Sequence, residues 1–223
     1  MEPVELAQRV MADHLTYLDA AKMQSLRSCV ATVKADAVPG DFLEFGVALG
    51  GSAICLASAL DGARRFAGFD VFAMIPPPSD RDGAQSRARY RTITAGKSRG
   101  TGGDTYYGCL DDLHARVVES FRRYGLTVDG DRIRLIRGLF EETLPHFPPA
   151  PVALAPIDCD WVDPVLLCLR HIVAKLSPGG FVIVDDHNDW PGARDATDQI
   201  LREHPEVTMI RQRPHAVLRK SGG

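Results

Sequence analysis

The chain has 223 residues, with 26 lysines and arginines against 29 aspartates and glutamates. That length suits one well-cored domain, and the slightly negative balance excludes the basic footprint of a nucleic-acid binder. Five cysteines (Cys29, Cys55, Cys109, Cys159, Cys168), odd in number and without a CxxC pair, exclude a disulfide framework or a cysteine zinc site and fit a reducing cytoplasm.

The start, Met1-Glu-Pro-Val-Glu-Leu6, lacks the apolar core of a secretory signal. No apolar stretch approaches the length that spans a bilayer, so no membrane partner is expected. Residues 4–34 carry apolar side chains at helical spacing (Leu6, Val10, Leu15, Leu18, Met23, Leu26) and predict one or two amphipathic helices. Residues 1–39 are therefore expected to form a helical segment that caps a sheet edge or the mouth of a site, or makes a homodimer contact.

Asp41–Phe45 reads as a short strand, Gly46–Ser52 as the turn after it, and Ala53–Leu60 as a helix that Ser52 is expected to cap. Strand, glycine-rich turn and helix form the nucleotide-cradling unit of doubly wound folds. A dinucleotide site uses G-x-G-x-x-G, whereas here Gly46, Gly50 and Gly51 run G-x-x-x-G-G behind Glu44. This wider spacing behind an acid resembles the S-adenosylmethionine (SAM) turn of class I methyltransferases; a plain strand-to-helix turn of small residues is the competing reading. A second strand ends in Asp70, at about the interval after Gly46 expected of an acid that takes both ribose hydroxyls.

Residues 73–108 form a polar insertion rich in turn residues, expected to be a lid, with Tyr106 and Tyr107 as candidate substrate contacts. Residues 110–124 predict a helix and 132–137 an alternating strand. In the turn that follows, Gly138, Phe140 and Glu141 are candidates to lie near an adenine.

Two later apolar runs resemble buried parallel strands. Pro151–Ile157 ends in Asp158-Cys159-Asp160, and Phe181–Val184 ends in Asp185-Asp186. Ligands bind at the carboxyl ends of strands in open α/β sheets, so neighbouring strands would bring these acids together. Clustered carboxylates repel unless a cation neutralises them, and an all-oxygen donor set suits Mg²⁺. Solvated loop acids are the bland alternative. Residues 165–176 predict a helix that Ser177-Pro-Gly-Gly breaks. Trp190–Pro191 opens a further helix, and residues 206–210 with 216–218 predict a terminal antiparallel hairpin.

Taken in order, Gly40–Val47, Gly50–Ser52, Phe69–Phe72, Gly138–Pro145, Asp158–Asp160, Leu176–Gly180 and Val184–Asp186 resemble the macrocin O-methyltransferase family, whose members act on mycinamicin and novobiocin precursors. The resemblance covers roughly residue 40 to the C-terminus. It implies an α/β class I methyltransferase fold, Rossmann-like, for residues 40–223. The expected sheet is seven-stranded and mostly parallel, with an antiparallel last strand and helices on both faces. It also implies a SAM- and Mg²⁺-dependent O-methyltransferase. The implied acceptor is a small-molecule hydroxyl, on a sugar or glycosylated natural product of antibiotic biosynthesis.

Carried over by motif, the metal ligands fall on Asp158, Asp185 and Asp186, and the general base on Asp160. The SAM contacts fall on Glu44, Gly46, Gly50, Ser52 and Asp70, with Gly138, Phe140 and Glu141 near the adenine. His187, beside the acidic pair, is the competing base. The chain departs from the family at Cys159, where relatives carry glycine, and at Trp161-Val162, where they carry tyrosine. A catechol-type O-methyltransferase, a non-catalytic SAM-binding protein and an NAD-dependent oxidoreductase are the alternatives, the last disfavoured by the glycine spacing.

Overall fold

The computed structural model describes residues 1–222. Two helices lead the chain, α1 (Pro3–Ala12) and α2 (Ala20–Ala35). They are followed by β1 (Asp41–Phe45), α3 (Gly51–Ser58) and β2 (Phe66–Asp70). Next come α4 (Ala84–Thr94), α5 (Leu113–Arg123), β3 (Ile133–Arg137) and the short α6 (Phe140–Thr143). The last part holds β4 (Val152–Ile157), α7 (Val162–Val173), β5 (Leu176–Val184), α8 (Pro191–Glu203), β6 (Val207–Arg211) and β7 (Ala216–Lys220).

These strands form one seven-stranded sheet in the order β3-β2-β1-β4-β5-β7-β6. Only β7 runs against its neighbours, paired antiparallel with β5 and β6. The expected fold class is therefore observed. Side chains on β1 alternate between two cores: Phe42 joins Leu26, Val33 and Ile54 on one face, while Leu43 joins Leu169, Ile172 and Ile200 on the other. Such alternation follows from the two-residue period of a strand. Helices therefore cover both faces, and α1 and α2 share their core with the sheet itself.

Register makes the site. Phe45 pairs with Phe69 on one side and Ile157 on the other, and Ile157 pairs with Val184. The residues that follow, Gly46, Asp70, Asp158 and Asp185, consequently leave the sheet at one level along its carboxyl edge.

Three local expectations need correction. Residues 73–108 were expected to lack regular structure, yet α4 lies inside them; only Ser86 and Ile93 of it are buried, too few to print a helical period on the sequence. Ser52 does not cap α3: the N-cap is Gly50, in the left-handed conformation at φ 91°, and Ser52 lies inside the first turn. The Ser177-Pro-Gly-Gly run was read as a break after a helix, whereas it forms the first half of β5, the helix having ended at Val173.

Candidate active site

A cavity of about 440 Å³ opens at the carboxyl ends of β1, β2 and β4. Gly46 and Asp70 form one wall, Phe140 and Glu141 a second, and Asp158, Cys159, Asp160 and Trp161 a third, with Pro76 and Tyr107 reaching in from the lid segment. Six carboxyl-bearing residues line it (Asp70, Glu141, Glu142, Asp158, Asp160, Asp163), and its described lining holds no lysine or arginine.

Gly46 is required by a close approach. Its φ is +90°, and a Cβ there would sit 1.9 Å from the carbonyl oxygen of Asp158. Only glycine lets β4 deliver its acids this near the turn. Asp70 braces the same turn. Its Oδ2 accepts the Val47 and Ala48 N–H groups at 2.8 and 2.9 Å, and its Oδ1 accepts the Phe72 N–H at 2.7 Å. The expected ribose acid thus lines the cavity while also ordering its floor. Gly138, at φ +144°, turns the chain into α6, and Phe140 packs edge-on against Phe45 at 5.8 Å.

The second acidic cluster is compact. One oxygen from each of Asp158, Asp185 and Asp186 lies within 4.8 Å of the others. Burial, then the neighbouring acids, push the Asp158 and Asp186 carboxyls well above the ordinary carboxylate range. Burial opposes ionisation of Asp185 too, but His215 and Lys22 hold its carboxyl below that range. Lys22 Nζ lies 2.7 Å from Asp185 Oδ2, and His215 Nδ1 lies 3.1 Å from Oδ1. Three hard oxygen donors, two of them destabilised as anions by burial and then by the neighbouring acids, fit a divalent cation such as Mg²⁺.

Asp160 occupies a strained turn. Its φ is +59°, unusual for a non-glycine residue, and the Trp161 N–H bonds back to the Cys159 carbonyl at 2.6 Å. The Asp160 N–H donates to Asp186 Oδ2 at 3.0 Å, which ties the candidate base to a candidate metal ligand. Burial and then Asp158 raise the Asp160 carboxyl to about 7, against the opposite pull of Arg89. A carboxyl poised there suits proton transfer near neutral pH.

Other candidates fall elsewhere. Glu44 and Ser52 line a separate small cavity of about 20 Å³, with Asp158, Asp185 and His215, beneath α2. Gly50 packs against Val117 and serves the helix start. His187 was expected as a loop base; it is buried, lines neither cavity, and its Nδ1 has no partner among the described residues. Asp160 is therefore the one of the two that faces the large cavity. Tyr107 lines that cavity, whereas Tyr106 packs behind it, ring centroids 4.5 Å apart.

Sequence reasoning missed Lys22, His215 and Trp190. Trp190 packs edge-on against Trp161, the neighbour of Asp160, with ring centroids 5.7 Å apart. A lysine in the first turn of a helix, where the dipole disfavours cations, was the available sign of Lys22. Trp161 also matters through its Nε1–H, which donates to the Pro76 carbonyl at 3.0 Å and ties the 73–108 segment to the turn after β4. Among the described residues, no helix is long and apolar enough to cross a membrane.

Comparison with known proteins agrees with this architecture. The sequence model of the family described as Macrocin-O-methyltransferase (TylF) matches residues 11–210. The chain is 35% identical over 176 residues to the 8-demethyl-8-(2,3-dimethoxy-alpha-L-rhamnosyl)-tetracenomycin-C 4'-O-methyltransferase of Streptomyces olivaceus; the match covers 77% of this chain and 62% of that protein, under two thirds of its length. It is 29% identical over 199 residues to the Mycinamicin III 3''-O-methyltransferase of Micromonospora griseorubida, covering 85% and 71% of the two chains. The solved structure of the O-methyltransferase NovP superposes with a TM-score of 0.72 at 26% identity, covering 92% of this chain and 84% of that one. With the family model matched over residues 11–210 of 223, the chain belongs to the macrocin O-methyltransferase family.

Proposed function

We propose that the protein is a SAM-dependent O-methyltransferase acting on a sugar hydroxyl of a small glycosylated molecule, with Mg²⁺ held by Asp158, Asp185 and Asp186. The observation that carries this reading is the acidic lining of the large cavity: six carboxyl-bearing residues beside the Gly46 turn, of which Asp163 is ion-paired to Arg81, and no lysine or arginine in the described lining itself. SAM brings a sulfonium and an ammonium, which such walls attract, whereas the pyrophosphate of a dinucleotide would be repelled. The same observation disfavours the oxidoreductase alternative. The names of the tetracenomycin and mycinamicin relatives both specify O-methylation, the first of a compound bearing a rhamnosyl group, which supports a sugar hydroxyl here.

SAM supplies a methyl group activated on sulfur. Mg²⁺, when bound, supplies Lewis acidity toward a hydroxyl oxygen. The chain supplies alignment and a proton acceptor. Asp70 and Gly46 shape the cofactor end of the cavity, and Asp160 accepts the hydroxyl proton at its carboxylate. The Asp186 contact to the Asp160 backbone N–H keeps the base registered on the carboxylate cluster. Trp161 and Tyr107 cover the acceptor end and limit the access of water. Five free thiols, two buried beneath α2 and α3, are compatible with a reducing cytoplasm.

The test is a calorimetric titration of SAM into the protein, followed by mass detection of methyl transfer to rhamnosyl-bearing acceptors with and without chelator. Binding abolished in Asp70→Ala, and a chelator-sensitive gain of one methyl, are expected. Absence of SAM binding by the wild-type protein would remove the methyltransferase reading. Turnover untouched by chelation would remove the metal part alone.

A further inference from the structure

We propose that Lys22 is a tethered cation of the carboxylate site: it anchors Asp185 and sets how tightly a divalent ion is held. The inference rests on the reading of Asp158, Asp185 and Asp186 as metal ligands. Lys22 reaches 163 positions along the chain to Asp185, with Nζ 2.7 Å from Oδ2 and 3.5 Å from the Asp185 carbonyl oxygen. It also lies 3.4 Å from Asp189 Oδ2. Its side chain is only 17% exposed, so this is not a solvated surface pair of little consequence.

The placement runs against local preference. Asp19 caps α2 by accepting the Lys22 N–H at 2.8 Å, which puts Lys22 in the first turn. A cation there faces the positive end of the helix dipole. What offsets that cost is the ion pair across to the β5 edge.

His215 determines the sign of the effect. Its Nδ1 contacts the other oxygen of Asp185 at 3.1 Å, and the ring is 1% exposed. Asp185 therefore stays anchored when Lys22 is removed. What changes is the positive charge facing the incoming ion, and without it the site attracts a dication more strongly. Lys22 thus keeps the metal exchangeable and couples the N-terminal helix α2 to metal loading.

The test is Mn²⁺ binding, followed by electron paramagnetic resonance, to the wild-type protein, Lys22→Met and Lys22→Arg. Lys22→Met is expected to bind Mn²⁺ more tightly by on the order of tenfold or more, and Lys22→Arg to stay near wild type. Thermal melting supplies a second readout. Metal-free Lys22→Met is expected to melt lower than wild type, and Mn²⁺ is expected to raise its midpoint further than it raises the wild type's. Unchanged or weaker binding by a folded Lys22→Met, with wild type binding normally, overturns the role of Lys22 alone. No Mn²⁺ binding by any of the three proteins overturns the metal-ligand reading together with the inference.

Discussion

Asp70 Oδ2 lies 2.8 Å from the backbone nitrogen of Val47, so the acid that ends β2 is a structural brace of the turn that follows β1. The neighbouring Ala48 and Phe72, both bonded to the same carboxylate, hold positive φ angles of 47° and 48°. An acid that satisfies three N–H groups organises this wall of the cavity before any ligand arrives. Asp70→Asn replaces one accepting oxygen with a donor. It is expected to cost about 1–3 kcal/mol of stability and to weaken SAM binding. Melting and calorimetry check both; a variant that melts like wild type would show the brace to be dispensable.

Gly46→Ala tests the close approach of β4. A Cβ would meet the Asp158 carbonyl oxygen at 1.9 Å, with φ already at +90°. The expected loss is about 2–4 kcal/mol, from backbone strain plus displacement of the Asp158 strand end. Mn²⁺ affinity should fall with it, because Asp158 moves. An unchanged melting midpoint would mean that β4 yields without cost.

Glu44 makes stability depend on pH in an unusual direction. Burial raises its carboxyl from the ordinary 4.5 to about 8. The folded state therefore binds this proton more tightly than the unfolded chain does. Its contribution is fully present below about pH 4.5 and is lost as pH rises through about 8. Glu44→Gln stays neutral throughout. The variant should match wild type near pH 5 and melt higher near pH 9, at fixed metal content. Parallel curves for the two proteins would show Glu44 to be ionised already at neutral pH.

Trp161→Phe keeps a ring against Trp190, now 5.7 Å away centroid to centroid, but removes the donor to Pro76. About 1 kcal/mol of lid anchoring is expected to go with that bond. Limited proteolysis should then cut faster within residues 76–82. Cleavage at the wild-type rate would show that the lid is pinned elsewhere.

Thiol chemistry should separate the cysteines by burial. Cys109 is exposed. Burial pushes the Cys29 thiol up to about 11 and the Cys55 thiol up to about 12. A disulfide reagent added to native protein is expected to titrate Cys109 quickly, and Cys29, Cys55 and Cys168 only on unfolding. Fast labelling of Cys29 or Cys55 would reveal local opening beneath α2 or α3.

The strands of the central sheet were legible because parallel strands are buried on both faces and read as unbroken apolar runs, as Ala153–Ile157 and Phe181–Val184 do. The acids that end them were legible for the same reason: they interrupt the run. The helix of the lid was not, because only Ser86 and Ile93 of its eleven residues are buried and no periodic stripe results. Ser52 looked like a cap by residue type, but a left-handed Gly50 already begins the helix, so the hydroxyl is left to face Glu44 in the small cavity. Among the histidines of the last third, His187 stood beside the acidic pair in sequence, yet it is His215, just before the antiparallel strand β7, that reaches Asp185.

By itself the sequence determined the order of the strands, the glycine-rich turn and the set of acids that end β2, β4 and β5. Those features are local: apolar runs, turn residues and charges are written consecutively along the chain. Only the tertiary structure decided which of those acids share a cavity, that Asp160 rather than His187 faces it, and that Lys22 and His215 hold Asp185 from opposite sides. These depend on strand register and on helix docking, which join residues as far apart as 22 and 185. No pattern in the neighbourhood of either residue encodes that meeting; it is set by the way α2 packs its Met23 and Leu26 onto the sheet.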